Sequence, residues 1–347
     1  MTQQTAQPKF FFIIGRPRSG TTLLRTVLDA HPQLKVPLES AFILNMYSQF
    51  KNKKWDKKTK LKFIKILKPQ RKVSAWQLDW EAITKEFLET EITSYQQAIL
   101  IPYRQFYSVF PKKDIIYFGD KTPSYSFQGY FIKKLMQIFP DAKFIHLIRD
   151  YRANASSVKK FEFSAPAVSL TSTRWKISFK HITKIKANYP DKWHTIFYED
   201  FVDNPLEELK KIEQFLGIEH HPEALEYYKY EEEAIKSFSN FGDYKKFHAN
   251  LFSPISSAYK DSWKKKLSEK EIKICDTAVG KWGKKADYEP IYHFNLWIWL
   301  RIIPARIYNA NWYLLNKLFF WLPYRFAKKI RGEKNNLAIL YRKLFTH

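Results

Sequence analysis

A chain of 347 residues that is 45% apolar excludes general disorder and is long enough for one large domain, or one domain plus an extension. Lys and Arg number 59 against 34 Asp and Glu, and the net charge of +25 calls for an anionic partner: nucleic acid, a phosphate-bearing cofactor, an acidic polymer or a membrane surface. The single Cys275 excludes an intramolecular disulfide framework and a Cys-rich zinc site. No stretch reads as a secretory signal or a spanning helix, so the expected setting is cytoplasmic, in solution or peripheral on the cytoplasmic membrane face.

In chain order, Lys9 to Ile14 is a short apolar run ended by Gly15, as a buried first strand should be. Thr22 to Ala30 reads as a helix with Leu23, Leu24, Val27 and Leu28 on one face and Pro32 past its stop. A second strand is expected before Glu39. Residues 51–72 then carry 11 basic side chains and one acid, Asp56, interleaved with Trp55, Phe63, Ile64 and Leu67. They open a helical insertion, 51–110. Further strands are expected at Asp114–Phe118, Lys143–Ile148 and His194–Tyr198, with an amphipathic helix at Tyr130–Phe139. Asn204 as cap, Pro205 at the first helical position and Glu207 three residues after the cap predict a helix that Gly217 ends. Alternating strands and helices predict an α/β fold with a central parallel sheet flanked by helices. That domain spans 1–288, and 289–347 forms a basic, Trp-rich helical extension.

The most specific motif is Gly15-Arg-Pro-Arg-Ser-Gly-Thr-Thr22, set between the first strand and its helix. Such a turn aims several backbone N–H groups and the positive helix end at one point, which makes an anion site. The spacing is that of a nucleotide P-loop, but Thr21 stands where that loop needs Lys. Positive charge comes from Arg18 instead, with Ser19, Gly20 and Thr22 beside it. Without the Lys, a nucleoside triphosphate with magnesium is disfavoured, and a 5′-phosphate carrying one more transferable anion fits better. Downstream, the strand at Lys143–Ile148 delivers Arg149 to its end, followed by a helix start bearing Ser157. A guanidinium and a hydroxyl there suit a second phosphate, although an Arg149–Asp150 ion pair at a strand end would look the same in sequence.

These residues resemble the sulfotransferases that use 3′-phosphoadenosine 5′-phosphosulfate, nearest to tyrosylprotein sulfotransferases and bacterial relatives. The resemblance runs in pieces over roughly residues 9 to 283, as a P-loop three-layer fold. It implies that Arg18, Ser19, Gly20, Thr21 and Thr22 bind the donor's 5′-phosphosulfate and that Arg149 and Ser157 bind its 3′-phosphate. It further implies that Glu39 is the general base and Lys121 the cation at the leaving oxygen. Both also follow expected strands, at the sheet edge where open α/β proteins bind ligands. Tyr198 matches a Tyr beside the nucleotide, though an ordinary strand aromatic is equally consistent. Ser253 stands where tyrosylprotein sulfotransferases have Lys, and His248 nearby is a second candidate for acceptor or cofactor contacts. His31 reads as a structural helix-end residue, and the nine His show no metal-ligand spacing, so no metal is expected.

The expected reaction is sulfuryl transfer to a glycan, lipid-linked or tyrosyl hydroxyl. Two rivals stay open: a P-loop kinase-like phosphotransferase, and a non-enzymatic protein holding single-stranded nucleic acid on its basic and aromatic side chains. Residues 291–347, with 10 basic residues, Glu333 as sole acid and four Trp, predict docking on an anionic membrane surface or packing on the body.

Overall fold

A computed structural model describes residues 7–70, 72–159, 167–230 and 253–320. Five strands form one parallel sheet: β1 (Lys9–Gly15), β2 (Leu34–Lys35), β3 (Tyr117–Lys121), β4 (Lys143–Ile148) and β5 (Trp193–Phe197), in the order β2-β3-β1-β4-β5. Three expected strands stand within a residue of the expectation. The third is shifted. Asp114 adopts a left-handed backbone at φ 50, which interrupts extension, and pairing begins only at Tyr117 opposite Lys9. The shift makes Lys121 the last residue of the strand itself.

Side chains on β1 alternate between two cores, as the two-residue strand period requires. Phe10, Phe12 and Ile14 face the first core, with α2 (Phe42–Phe50), α3 (Lys57–Leu67), α4 (Trp80–Glu89), α5 (Tyr95–Gln105) and α6 (Gly129–Ile138). Phe11 and Ile13 face the second core, with α1 (Thr21–Ala30), α9 (Tyr198–Asp203) and α10 (Pro205–Leu216). The insertion therefore covers one face of the sheet: Phe63, Trp76, Phe87 and Tyr103 are almost fully buried. Asn204 does precede α10, but its side chain makes no capping hydrogen bond, so that expectation is corrected. The stop holds: Gly217 takes φ 73, and the Gly217 and Ile218 amides both donate to the Glu213 carbonyl.

A third core joins α7 (Tyr151–Lys159) and α8 (Val168–Lys186) to α11 (Trp263–Lys266), α12 (Glu269–Val279) and α13 (Lys281–Lys284). Beyond it lie α14 (Leu296–Arg301) and α15 (Ile303–Phe320). One side of this pair packs on the body: Ile302, Ala305 and Asn309 are buried, and the Ile291 and Tyr292 amides both donate to Asp276 at 2.9 Å. The other side is apolar and exposed, with Phe294, Leu296, Trp297, Leu300 and Ile307 in water.

Candidate active site

The loop after β1 is built from unusual backbone. Arg18 lies at φ 68 and Gly20 at φ 90, both left-handed, and the Ser19 amide closes a turn on the Arg16 carbonyl at 3.1 Å. A non-glycine residue in that region is strained by roughly 1 kcal/mol or more, so the surroundings must impose it. They do so from β4 and α7. Arg149 Nη1 donates to the Arg18 carbonyl at 3.1 Å, and Asn154 Nδ2 donates to the Pro17 carbonyl at 2.7 Å and to Ser19 Oγ at 3.3 Å. Only Gly fits at position 20, because a Cβ there would sit 2.4 Å from Cδ2 of Tyr198. Thr21 is buried, its methyl group packed toward Gly15, while Thr22 is half-buried at the first turn of α1.

Arg149 and Ser157 meet this loop from the neighbouring strand end. Arg18 Nε donates to Ser157 Oγ at 3.3 Å, and the Arg149 guanidinium lies 4.1 Å from the centre of the Tyr198 ring. The ion-pair reading of Arg149 fails. Asp150 pairs instead with Arg152 at 2.8 Å, while Arg149 bonds to the carbonyls of Arg18 and Tyr259 and keeps a buried Nε without a partner. Tyr198 opens α9 and serves as the floor under both Gly20 and Arg149. Burial of Arg18, and Arg149 beside it, lower the Arg18 pKa.

On the other side of the loop, Lys121 and Glu39 converge. Lys121 is buried, with Nζ 3.2 Å from Glu39 Oε2 and 3.3 Å from Thr22 Oγ1. The cation missing from the loop at Thr21 is thus supplied from β3. Burial, and next Arg25, push Lys121 down to about 7 against the pull of Asp120. Glu39 is fixed through its backbone. Arg25 Nε donates to the Val36 carbonyl at 2.6 Å, Asp29 accepts the Val36 amide at 2.8 Å, and Trp76 Nε1 donates to the Leu38 carbonyl at 2.7 Å. Arg25 and Asp29 are themselves a buried pair at 2.9 Å, one helical turn apart on α1.

Lys72, just before the 3-10 turn Val73–Trp76 of the insertion, forms an ion pair with the other oxygen of Glu39. Burial, then Lys121, lower it to about 8. The sequence placed Lys72 in a basic run without linking it to Glu39. Arg25, Asn154 and Trp76 were also missed as positioning residues. The i,i+4 Arg–Asp pair on the helix after the loop is the one sequence signal that could have pointed to Arg25.

His31 is buried as a structural residue. Nδ1 accepts from the Gln33 amide at 3.1 Å, so Nε2–H donates to the Glu219 carbonyl at 3.0 Å, and burial holds the ring down to about 4. The carbonyl of Ser253 accepts from Tyr227 Oη at 2.9 Å, and its side chain is exposed. His248 lies outside the described residues. No cluster of three or more His, Cys, Asp or Glu suited to a metal occurs among the described residues.

A sequence model of the sulfotransferase family matches residues 8–222, more than half of the chain. Protein-tyrosine sulfotransferase A of Caenorhabditis elegans is 27% identical over 224 residues, covering 60% of this chain and 50% of that protein. A putative protein-tyrosine sulfotransferase of Caenorhabditis briggsae is 21% identical over 278 residues, covering 77% and 85%. This chain thus spans about half the length of the first relative and most of the second. Among solved structures, a sulfotransferase domain from the curacin biosynthetic pathway superposes with a TM-score of 0.53 at 20% identity, covering 81% of this chain and 98% of that domain. The fold is shared, and the matched region contains the loop, Glu39, Lys121 and the Arg149 strand end: the chain belongs to the sulfotransferase family.

Proposed function

We propose that this protein transfers a sulfuryl group from 3′-phosphoadenosine 5′-phosphosulfate to an acceptor hydroxyl. The observation that carries the reading is the convergence of Lys121 on Thr22 and Glu39 at the mouth of a loop already fixed for an anion. The 5′-phosphosulfate belongs against Arg18 and the amides and hydroxyls of Ser19 to Thr22, and the 3′-phosphate against Arg149 and Ser157. An acceptor oxygen attacks sulfur as the bond from sulfur to the bridging phosphate oxygen breaks. The acceptor's proton goes to Glu39, and Lys121 turns from Glu39 toward the leaving oxygen. A positioned base contributes about 10²–10⁴-fold, and an electrostatic donor about 2.7–4 kcal/mol. The products are the sulfate ester and adenosine 3′,5′-bisphosphate. A phosphotransferase reading lacks the loop Lys, and ATP turnover with magnesium would favour it.

The test is calorimetric titration of the full chain with adenosine 3′,5′-bisphosphate, then incubation of sulfur-labelled donor with cell lysate and mass spectrometry of the labelled product. Saturable binding and a labelled hydroxyl are expected. No binding would end the reading. The two Caenorhabditis relatives are a protein-tyrosine sulfotransferase and a putative one, which makes a tyrosyl hydroxyl one acceptor class to try alongside glycan and lipid-linked hydroxyls.

A second element of the proposal is that α14 and α15 dock the enzyme on an anionic membrane surface. Trp297 is 77% exposed and Phe294 60%, beside the exposed Arg301 and Lys317, and no described helix is long and apolar enough to cross a membrane. Bulky apolar side chains alternating with cations suit the boundary between headgroups and acyl chains.

A further inference from the structure

Glu39 is held at both oxygens by two different parts of the chain. Oε2 faces Lys121 of β3 at 3.2 Å, and Oε1 faces Lys72 of the insertion. The two lysines differ in their surroundings. The Lys121 side chain is 5% exposed and also reaches Thr22 Oγ1 at 3.3 Å, on the donor side, whereas the Lys72 side chain is 47% exposed. The backbone carrying Lys72 is fixed. The Val73 amide donates to the Gln70 carbonyl at 3.0 Å, the buried Gln70 donates through Nε2 to the Ile66 carbonyl at 3.2 Å, and Val73 is itself fully buried. At the far end of the same turn, the Trp76 ring centre lies 5.1 Å from that of Tyr103 and 5.7 Å from that of Phe42, while Nε1 donates to the Leu38 carbonyl at 2.7 Å. The turn therefore grips residues 38 and 39 twice, once at a backbone carbonyl and once at the carboxylate.

We propose that Lys72 is a positioning residue that holds Oε1 of Glu39 through the reaction, so that Oε2 is the oxygen that takes the acceptor's proton. The inference rests on the sulfuryl-transfer reading above. When Lys121 turns to the leaving oxygen, Oε2 loses its partner, and Oε2 lies on the Thr22 side, where sulfur is bound. A carboxylate released at both oxygens would rotate, and a misplacement of about 1 Å can cost about a hundredfold in rate. Lys72 keeps one oxygen in place, and its cation favours the ionised form of Glu39. The balance is simple: the acceptor oxygen bonds to sulfur as the bond from sulfur to the bridging oxygen breaks, the hydroxyl proton passes to Oε2, and the Lys72 ammonium keeps its own protons. A half-exposed ion pair adds little to stability, so the contribution of Lys72 lies in aiming the carboxylate. The insertion thereby becomes part of the catalytic apparatus as well as a cover for one face of the sheet.

The experiment follows the Glu39 carboxyl across pH by carbon-13 NMR in the full chain saturated with adenosine 3′,5′-bisphosphate, with Glu39→Gln to assign the signal. The charged groups around that carboxyl are Lys72 from the insertion and Lys121 from β3, with Arg25 of α1 near Lys121. Lys72→Met should raise the Glu39 midpoint by about half a pH unit or more, and Lys72→Arg should leave it near the wild-type value. With sulfur-labelled donor and cell lysate, Lys72→Met should slow labelling about tenfold or more, and Lys72→Arg should restore most of the rate. All three proteins should melt alike and bind the bisphosphate alike below pH 7, where Lys121 is protonated in each. The proposal is overturned if Lys72→Met leaves the Glu39 midpoint or the labelling rate as in the wild type. Absence of bisphosphate binding to the wild type would end the donor reading and this inference with it, whereas binding with an unmoved midpoint ends this inference alone.

Discussion

The carboxyl edge of the sheet and the pair α14–α15 hold positive charge in opposite ways. At the sheet edge the cations are few, buried and aimed. Lys121 touches Thr22 and Glu39, and Arg149 braces the Arg18 carbonyl while its Nε waits without a partner. Along α14 and α15, Arg301 and Lys317 stand in water between Trp297, Leu300 and Leu314. A buried cation is costly until an anion arrives, which ties it to one ligand in one place. An exposed cation costs little and attracts any anionic surface within about a Debye length, roughly 8 Å at physiological salt. On the proposed function, the sheet edge takes a small anion at fixed atoms and the helices an extended anionic surface. Experiments that change one region and not the other test this division.

The largest effect should come from Glu39→Gln, which keeps the size and removes the proton acceptor. Turnover should fall at least about a hundredfold with bisphosphate affinity nearly normal. If single-turnover rates survive, another group takes the proton, and His248 is the next candidate. Arg149→Ala comes second. It removes the strand-end cation of the anion site, and bisphosphate binding should weaken by roughly 1.5–3 kcal/mol in calorimetry. Unchanged affinity would move the 3′-phosphate elsewhere and with it half of the sheet-edge argument.

Lys121 supplies a prediction with a sign. Its ammonium is held down to about 7 in the ligand-free protein, and an anion at the loop stabilises the protonated form. Binding therefore takes up a proton. Affinity should be greatest below pH 7 and weaken by up to about tenfold per unit as pH rises above it, until the pKa of the bound state is passed. Lys121→Met should flatten that slope between pH 7 and 9. A slope that persists unchanged would assign the proton to Lys72, which is held at about 8 beside the same carboxylate.

What the sequence disclosed follows from how local each feature is. β1 and β4 were legible because they are mostly apolar runs, interrupted in β4 only by His146, and both faces of the strands are buried. The loop was legible because its spacing encodes a backbone shape. β3 was misplaced because Ile115 and Ile116 extend the apolar run, although Asp114 turns the backbone just before them. The union of Lys72 with Glu39 was illegible: nothing in spacing shows that a basic run in an insertion ends over a carboxylate 33 residues earlier. The roles of Arg25 and Trp76 were hidden for the same reason, since both act on carbonyls of the Glu39 segment that only the folded chain brings near. The amphipathic extension was half read. Its apolar residues were recognised, but which of them face the body emerged only from the packing of Ile302 and Ala305.

The smallest effect concerns the exposed side of those helices. If α14 and α15 lie on an anionic bilayer, the full chain should float with vesicles containing phosphatidylserine in low salt and leave them as salt rises. Trp297 and Phe294 are the residues to change, because their exposure means that Ser in their place removes no large packing contact. Each loss should cost about 1 kcal/mol of partitioning, roughly fivefold, while bisphosphate affinity stays constant. A ligand site at the sheet edge would move in the reverse way, losing the bisphosphate on Arg149→Ala with flotation intact. Should the wild type stay with the unbound fraction in low salt, the exposed aromatics belong to another contact, such as a second copy of the chain. Sedimentation of the wild type against Trp297→Ser would then test for that copy. If the wild type floats and the Ser variants float equally well, the charge alone holds the protein there, and the contrast between aimed and spread cations survives without its apolar half.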